Sequence, residues 1–261
     1  PFCDAIDLNF GCPQRSAQKG HYGAYLLDEP ELLEEIVRTL ACGLPIPVAC
    51  KIRILDSVRD TVCLAKRLEA AGCSVLAVHG RVRDARESEG PADWDVIRAV
   101  KRSVGIPVIA NGNVTCLEDA QYCMQYTKCD AVMSATGLLR RPSLFACRSS
   151  EAEADVMGCA REYLRLAEVN TPAINQVRDH LFAMLQSRLL DDHPDLWSLL
   201  GNPRLTTIRQ YHLALDAIED RLNPLADGVA LPWAGIAEGP SSAKCSWSLQ
   251  AIKRGYEGDS E

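Results

Sequence analysis

The chain has 261 residues, 47% hydrophobic and 24% charged, with a formal net charge of −7. That is apolar material for a substantial core, in one large α/β domain or one domain plus a smaller one, and the short, interrupted apolar runs do not read as a membrane span. The acidic balance argues against nucleic-acid binding by overall basicity, so any RNA contact must be a local patch. No charged-then-apolar leader opens the sequence. It starts at Pro1 and runs almost at once into a strand, and is read as a piece of a longer chain.

Five times along the first part, a short β-leaning apolar run ends in a polar residue and a helical stretch follows. Ala5–Asn9 is the first strand, ending at Gly11-Cys12-Pro13, and helical Pro30–Cys42 comes after it. Leu32, Leu33, Ile36, Val37 and Leu40 recur at helical spacing there. Val48–Arg53 is the second strand, and Ser57–Ala71 its helix, closed by Gly72. Ser74–His79 precedes helix Trp94–Val104, Ile106–Asn111 precedes helix Leu117–Tyr126, and Asp130–Ser134 is the fifth strand. A short segment, Pro142–Phe145, follows.

Beyond about Glu151 the pattern becomes purely helical. Ala154–Val169, Ala173–Leu190 and Thr206–Leu222 each read as a helix with one apolar face. From Asn223 on, Pro, Gly, Ser and charge dominate, which predicts a loose tail. The expected domains are 1–150, an α/β segment; 151–222, a small helical domain; and 223–261, the tail. Alternating strands and helices imply a parallel sheet. The polar strand ends Asn9, Lys51, His79, Asn111 and Ser134 suit a (β/α)8 TIM barrel, whose function gathers at that end. Five strands would be its last five, making the barrel incomplete. The competing fold, a doubly wound sheet, would more often show a Gly-rich phosphate loop after its first strand, and none is present.

The residues with chemical potential sit at those strand ends. Gly11 and Pro13 set a tight turn that holds Cys12 at the mouth, where a thiol can act as nucleophile or proton donor. Against this stands a loop cysteine of no consequence, since the chain has eleven others, none spaced C-x-x-C. Most read as reduced small hydrophobes. Lys51 is either a functional cation or a strand-end lysine reaching solvent, and His79 either a ligand contact or an imidazole satisfied by backbone. Arg53 and Arg81 either face phosphates or make structural pairs. Asp191, Asp192, His193 and Asp195 lie together in an inter-helix loop and read as a solvated cap rather than a metal site; no metal is expected.

Taken together, Asp4-Ala-Ile-Asp-Leu-Asn9 with Gly11-Cys-Pro13, Lys19-Gly-His-Tyr-Gly-Ala24, Cys50-Lys-Ile-Arg53, Val78-His-Gly-Arg81, Ala110-Asn-Gly-Asn113 and Val132-Met-Ser-Ala-Thr-Gly137 resemble the tRNA-dihydrouridine synthases. The wording is similar to the eukaryotic branch acting on tRNA positions 16 and 17. The similarity continues through Ala160-Arg-Glu-Tyr-Leu164 and Val177-Arg-Asp-His-Leu-Phe182, covering roughly residues 1 to 190. One departure stands out: the branch usually has Ser-Ala-Glu-Gly where Thr136 replaces the Glu here.

The resemblance implies reduction of tRNA uridines to dihydrouridine by FMN, with NADPH or NADH as electron donor. It implies that Cys12 protonates C5 of uracil. Lys51, His79, Asn111, Gly112, Asn113, Ala135 and Thr136 would hold FMN, and Asn9, Arg53, Arg81, Arg178 and His180 would meet substrate. It further implies tRNA as partner, no membrane, no stable protein partner, a monomer when complete, and a cytoplasmic or nuclear location. Two other readings are carried: another FMN barrel of the dihydroorotate dehydrogenase kind, and an inactive RNA-binding remnant.

Overall fold

The computed structural model describes residues 3–85, 90–146, 156–186, 193 and 196–222. Five strands form one all-parallel sheet: β1 (Ile6–Phe10), β2 (Val48–Arg53), β3 (Val75–His79), β4 (Val108–Asn111) and β5 (Ala131–Met133). After β1 come α1 (Arg15–Gly20), a 3-10 segment (Gly23–Asp28) and α2 (Pro30–Gly43). Helices α3 (Val58–Ala70), α4 (Trp94–Ser103), α5 (Leu117–Thr127) and α6 (Thr136–Arg140) follow the next four strands in turn. Pro30 opens α2 at a position whose N–H would have no intrahelical partner. Ser57 caps α3 by accepting from the Asp60 amide, and Asp93 caps α4 by accepting from the Asp95 and Val96 amides.

The lateral order is β1-β2-β3-β4-β5. A doubly wound sheet reverses its order at a switch point, and this sheet does not. When neighbours in sequence are neighbours in space, right-handed crossovers all return on one side. That is the arrangement of consecutive (β/α) units in a barrel, and it favours the incomplete-barrel expectation over the doubly wound one. The two faces of the sheet differ accordingly. Phe10, Val48, Cys50, Ile52, Leu76, Val78, Val108 and Ala110 are buried and share one face by the two-residue period of a strand. The other face carries Asp7, Asn9, Lys51, Arg53, His79 and Asn111.

From Ala135 to Leu222 the described residues form a second compact unit, which also takes Thr115–Leu117. The division falls at Ser134/Ala135, earlier than the boundary at 150 expected from sequence, because α6 packs with the helices that follow. Those are α7 (Val156–Asn170), α8 (Ile174–Leu185), α9 (Trp197–Leu200) and α10 (Ile208–Leu222). Leu164, Val177, Leu181, Leu185, Leu200, Tyr211, Leu215 and Ile218 make their core. Arg161 ties α7 to α10 through Asp216 at 2.8 Å and Glu219 at 2.5 Å. The expected helix residues Ala154, Leu189 and Leu190, the acidic residues Asp191, Asp192 and Asp195, and the tail 223–261 lie outside the described residues. Among the described residues no helix is long and apolar enough to cross a membrane, and no cluster of metal-ligating side chains occurs.

Candidate active site at the strand ends

Register assembles the site. Asn9 sits opposite Lys51, Arg53 opposite His79, His79 opposite Asn111, and Asn111 opposite Met133. Since the strands are parallel, all of these lie at one end of the sheet. Since the positions are in register or two apart, they share one face. Sequence residues 9 to 111 are thereby brought into a single row, with Cys12 in the loop that leaves β1 at the same end.

The cysteine loop is fixed by its backbone. Asn9 Oδ1 accepts from the Gly11 amide at 3.0 Å, and Arg53 Nε donates to the Gly11 carbonyl at 3.1 Å. The Ala24 amide donates to the Cys12 carbonyl at 3.0 Å, and Tyr25 Oη–H donates to the Pro13 carbonyl at 3.2 Å. Gly23 has φ +66, and a Cβ there would lie 2.7 Å from the Cys12 carbonyl oxygen and 2.9 Å from its Cβ. The half-buried Cys12 side chain is therefore placed by contacts on either side of it.

Arg53 and Arg81, expected to meet substrate, also have partners inside the protein. Arg53 is 9% and Arg81 6% exposed. Besides Gly11, Arg53 donates through Nη1 to the carbonyls of Val82 at 2.8 Å and Ala85 at 3.1 Å. Arg81 donates to the Gly90 carbonyl from Nε at 3.1 Å and Nη2 at 2.9 Å, and to Asn113 Oδ1 at 2.6 Å. A buried guanidinium, with five donors and no acceptor, must collect oxygens, and the loop carbonyls are the nearest supply. Both side chains hold the loops around the row.

The row is electrostatically crowded. Burial first, then the charges of Arg53, Lys51 and Arg81, push the His79 pKa down to about 3, so its imidazole is neutral. Burial and the Arg53 charge lower the Lys51 pKa, while Asp7 pulls the other way. Burial holds the Asp7 carboxyl above its usual range, partly offset by Lys51. Among the described residues the Lys51 ammonium has no hydrogen bond or ion pair. Sequence reasoning passed over Asp7. Its place two residues before Asn9 on a strand, hence on the same face, was the available signal.

The Asn111–Asn113 turn closes the row. Asn111 Nδ2 donates to the Met133 carbonyl at 2.9 Å, and Trp94 Nε1 donates to the Gly112 carbonyl at 3.1 Å. Gly112 has φ +112 and Asn113 φ +58. Asn113 Oδ1 also accepts from the Ala92 amide at 2.6 Å. A Cβ on Gly112 would lie 2.6 Å from Ala92 Cβ and 3.0 Å from His79 Cδ2. The close approach this glycine permits is thus made by Ala92 and His79.

A family profile described as Dihydrouridine synthase (Dus) matches residues 2–189. The chain belongs to the dihydrouridine synthase family. It is 45% identical over 184 residues to a Mus musculus protein named tRNA-dihydrouridine(16/17) synthase [NAD(P)(+)]-like, an alignment spanning 70% of this chain and 38% of that one. A Schizosaccharomyces pombe tRNA-dihydrouridine(16/17) synthase is 36% identical over 212 residues, spanning 77% and 53%. A Homo sapiens tRNA-dihydrouridine(20a/20b) synthase-like protein is 37% identical over 190 residues, spanning 71% and 58%. The chain therefore spans between about two fifths and three fifths of the length of these relatives. Among solved structures, a dihydrodipicolinate synthase from Agrobacterium tumefaciens aligns with a TM-score of 0.41 at 18% identity, over 97% of this chain and 86% of that one.

In this dihydrouridine synthase chain the remaining expected site residues fall in the second unit. Ala135 and Thr136 begin the short helix α6. Arg178, on α8, bonds the Asp179 carboxylate at 3.1 and 3.0 Å. His180 stacks on the Tyr163 ring of α7 at 5.1 Å and 24°.

Proposed function

We propose that this chain carries the Cys12 loop and the polar strand ends of an FMN-dependent active site that reduces uridines in tRNA to dihydrouridine, with NADPH or NADH as electron source. Family membership supports this reading. The observation that carries it is the register that gathers Asn9, Lys51, His79 and Asn111 at one sheet end, beside the loop that presents Cys12. The residues suit a reduced flavin: a half-buried cation without a partner among the described residues, next to a neutral imidazole.

When bound, the reduced flavin supplies hydride to C6 of the uracil. Cys12 supplies the proton at C5; one hydride and one proton saturate the double bond, and the thiolate recovers its proton from solvent. Lys51 would stabilise the negative charge of a bound reduced flavin. Asn9 spends Oδ1 on the Gly11 amide, which leaves its Nδ2 for a substrate carbonyl. Within the first unit, the backbone amides of Asn111–Asn113 would serve the cofactor phosphate. Arg178 and His180 meet tRNA, and the enzyme works as a monomer in the cytoplasm or nucleus.

The test is Cys12→Ala. The variant should bind FMN and be reduced by NADPH, seen by flavin absorbance, while dihydrouridine formed on tRNA falls at least about 100-fold. Wild-type turnover would remove Cys12 from the chemistry. Failure of the unmutated protein to bind flavin at all would favour an RNA-binding protein without reductase activity.

A further inference from the structure

His79 has an unusual neighbour for a neutral imidazole. Arg81 Nη1 lies 3.2 Å from His79 Nε2. A guanidinium only donates hydrogen bonds, so the nitrogen facing it must accept. A neutral imidazole has one accepting and one donating nitrogen, and therefore the ring proton sits on Nδ1. The arrangement is held from behind. Gly90 takes two bonds from Arg81 and Asn113 Oδ1 a third, so the guanidinium is fixed in plane. The missing side chain at Gly112 leaves room for the imidazole edge: a Cβ would stand 3.3 Å from Nε2.

We infer that Arg81 is a positioning residue: by donating to Nε2 it sets the tautomer of His79, so that the strand-end imidazole offers an Nδ1–H donor to the ligand of this site. The ligand atom that meets His79 is then an acceptor, a carbonyl oxygen, an unprotonated ring nitrogen or a phosphate oxygen. Lys51 and Arg53 are the other cations that act on the ring, so it gains a donor without adding a fourth charge. Only this consequence for the ligand rests on the flavin reading; the tautomer follows from the arginine.

The protein can report this directly. With histidines labelled in 15N, two-bond nitrogen–proton correlation spectra distinguish the two neutral tautomers and the imidazolium. The His79 signal is identified as the one of five that His79→Gln removes. At pH 7 the expected result is Nδ1 protonated and Nε2 bare, with or without FMN. A spectrum showing Nε2–H or the charged ring at His79 in the unmutated protein overturns the inference. In Arg81→Met the signal should move toward the mixed tautomers of a free imidazole, and Arg81→Lys should recover part of the Nδ1–H form. An unshifted tautomer in Arg81→Met also overturns it. Flavin affinity is read separately by absorbance titration. A protein with the expected tautomer that binds no FMN would defeat the proposed function and leave the Arg81 role standing.

Discussion

At the scale of single residues, cations and one imidazole compete for the same small volume. His79 is the clearest case. Its pKa falls from 6.5 to about 3 in the fold, so between those values the unfolded chain binds more protons than the native one. Stability contributed by neutral His79 is fully present above about pH 6.5 and is lost as pH falls toward 3. The urea midpoint should therefore drop on going from pH 7 to pH 5, and His79→Gln should flatten that dependence. A variant with the same slope as the parent would show that other groups carry it. Lys51 invites a functional measurement instead: Lys51→Ala should weaken FMN binding about 10-fold, roughly 1.4 kcal/mol, or slow flavin reduction, and an unchanged affinity and rate would remove it from the site. The cysteines divide by burial. Cys50 is fully buried and Cys63 exposed. Cys50→Ser should cost about 1–3 kcal/mol by placing a hydroxyl in an apolar layer, while Cys63→Ser should stay within about 0.5 kcal/mol, both read by chemical denaturation.

At the scale of elements, the five strands were legible because each is an apolar run with a polar terminus, and the crossover helices because their apolar residues recur every three or four positions. What escaped was short. Helix α1, the 3-10 segment and α9 have six, six and four residues, too few for a periodic signal. The motif residues were found as strand ends, but the bonds of Arg53, and two of those of Arg81, go to carbonyls, and a backbone oxygen leaves no trace in sequence. The same holds at Gly112. Ala92, some twenty residues earlier in the chain, packs where a side chain at Gly112 would stand. Gly112→Ala should strain a positive-φ position and crowd Ala92 and His79, destabilising the protein by about 1–3 kcal/mol. A thermal midpoint equal to the parent's would show that the turn rearranges freely.

At the scale of the whole molecule, an acidic chain of net charge −7 is proposed to hold a polyanion. Several of its second-unit arginines are already paired, Arg161 with Asp216 and Glu219, Arg165 with Glu162, and Arg178 with Asp179. Affinity for tRNA should then come from few phosphate contacts, and its logarithm should fall only shallowly with the logarithm of salt concentration. Arg178→Ala should raise the KM for tRNA several-fold with little change in kcat, and an unaltered KM would place the RNA elsewhere. Arg53 has a different kind of reach. One guanidinium bonds Gly11, ahead of the cysteine, and Val82 and Ala85, beyond the imidazole. The segment that presents Cys12 and the segment beyond His79 therefore share a single mechanical joint. Substitutions made in the two loops will not sum: once either loop has slipped its carbonyl off Arg53, a second change in the other loses less than it would alone. In a population of homologues these two segments would be expected to drift together, as a correlated pair bridged by Arg53.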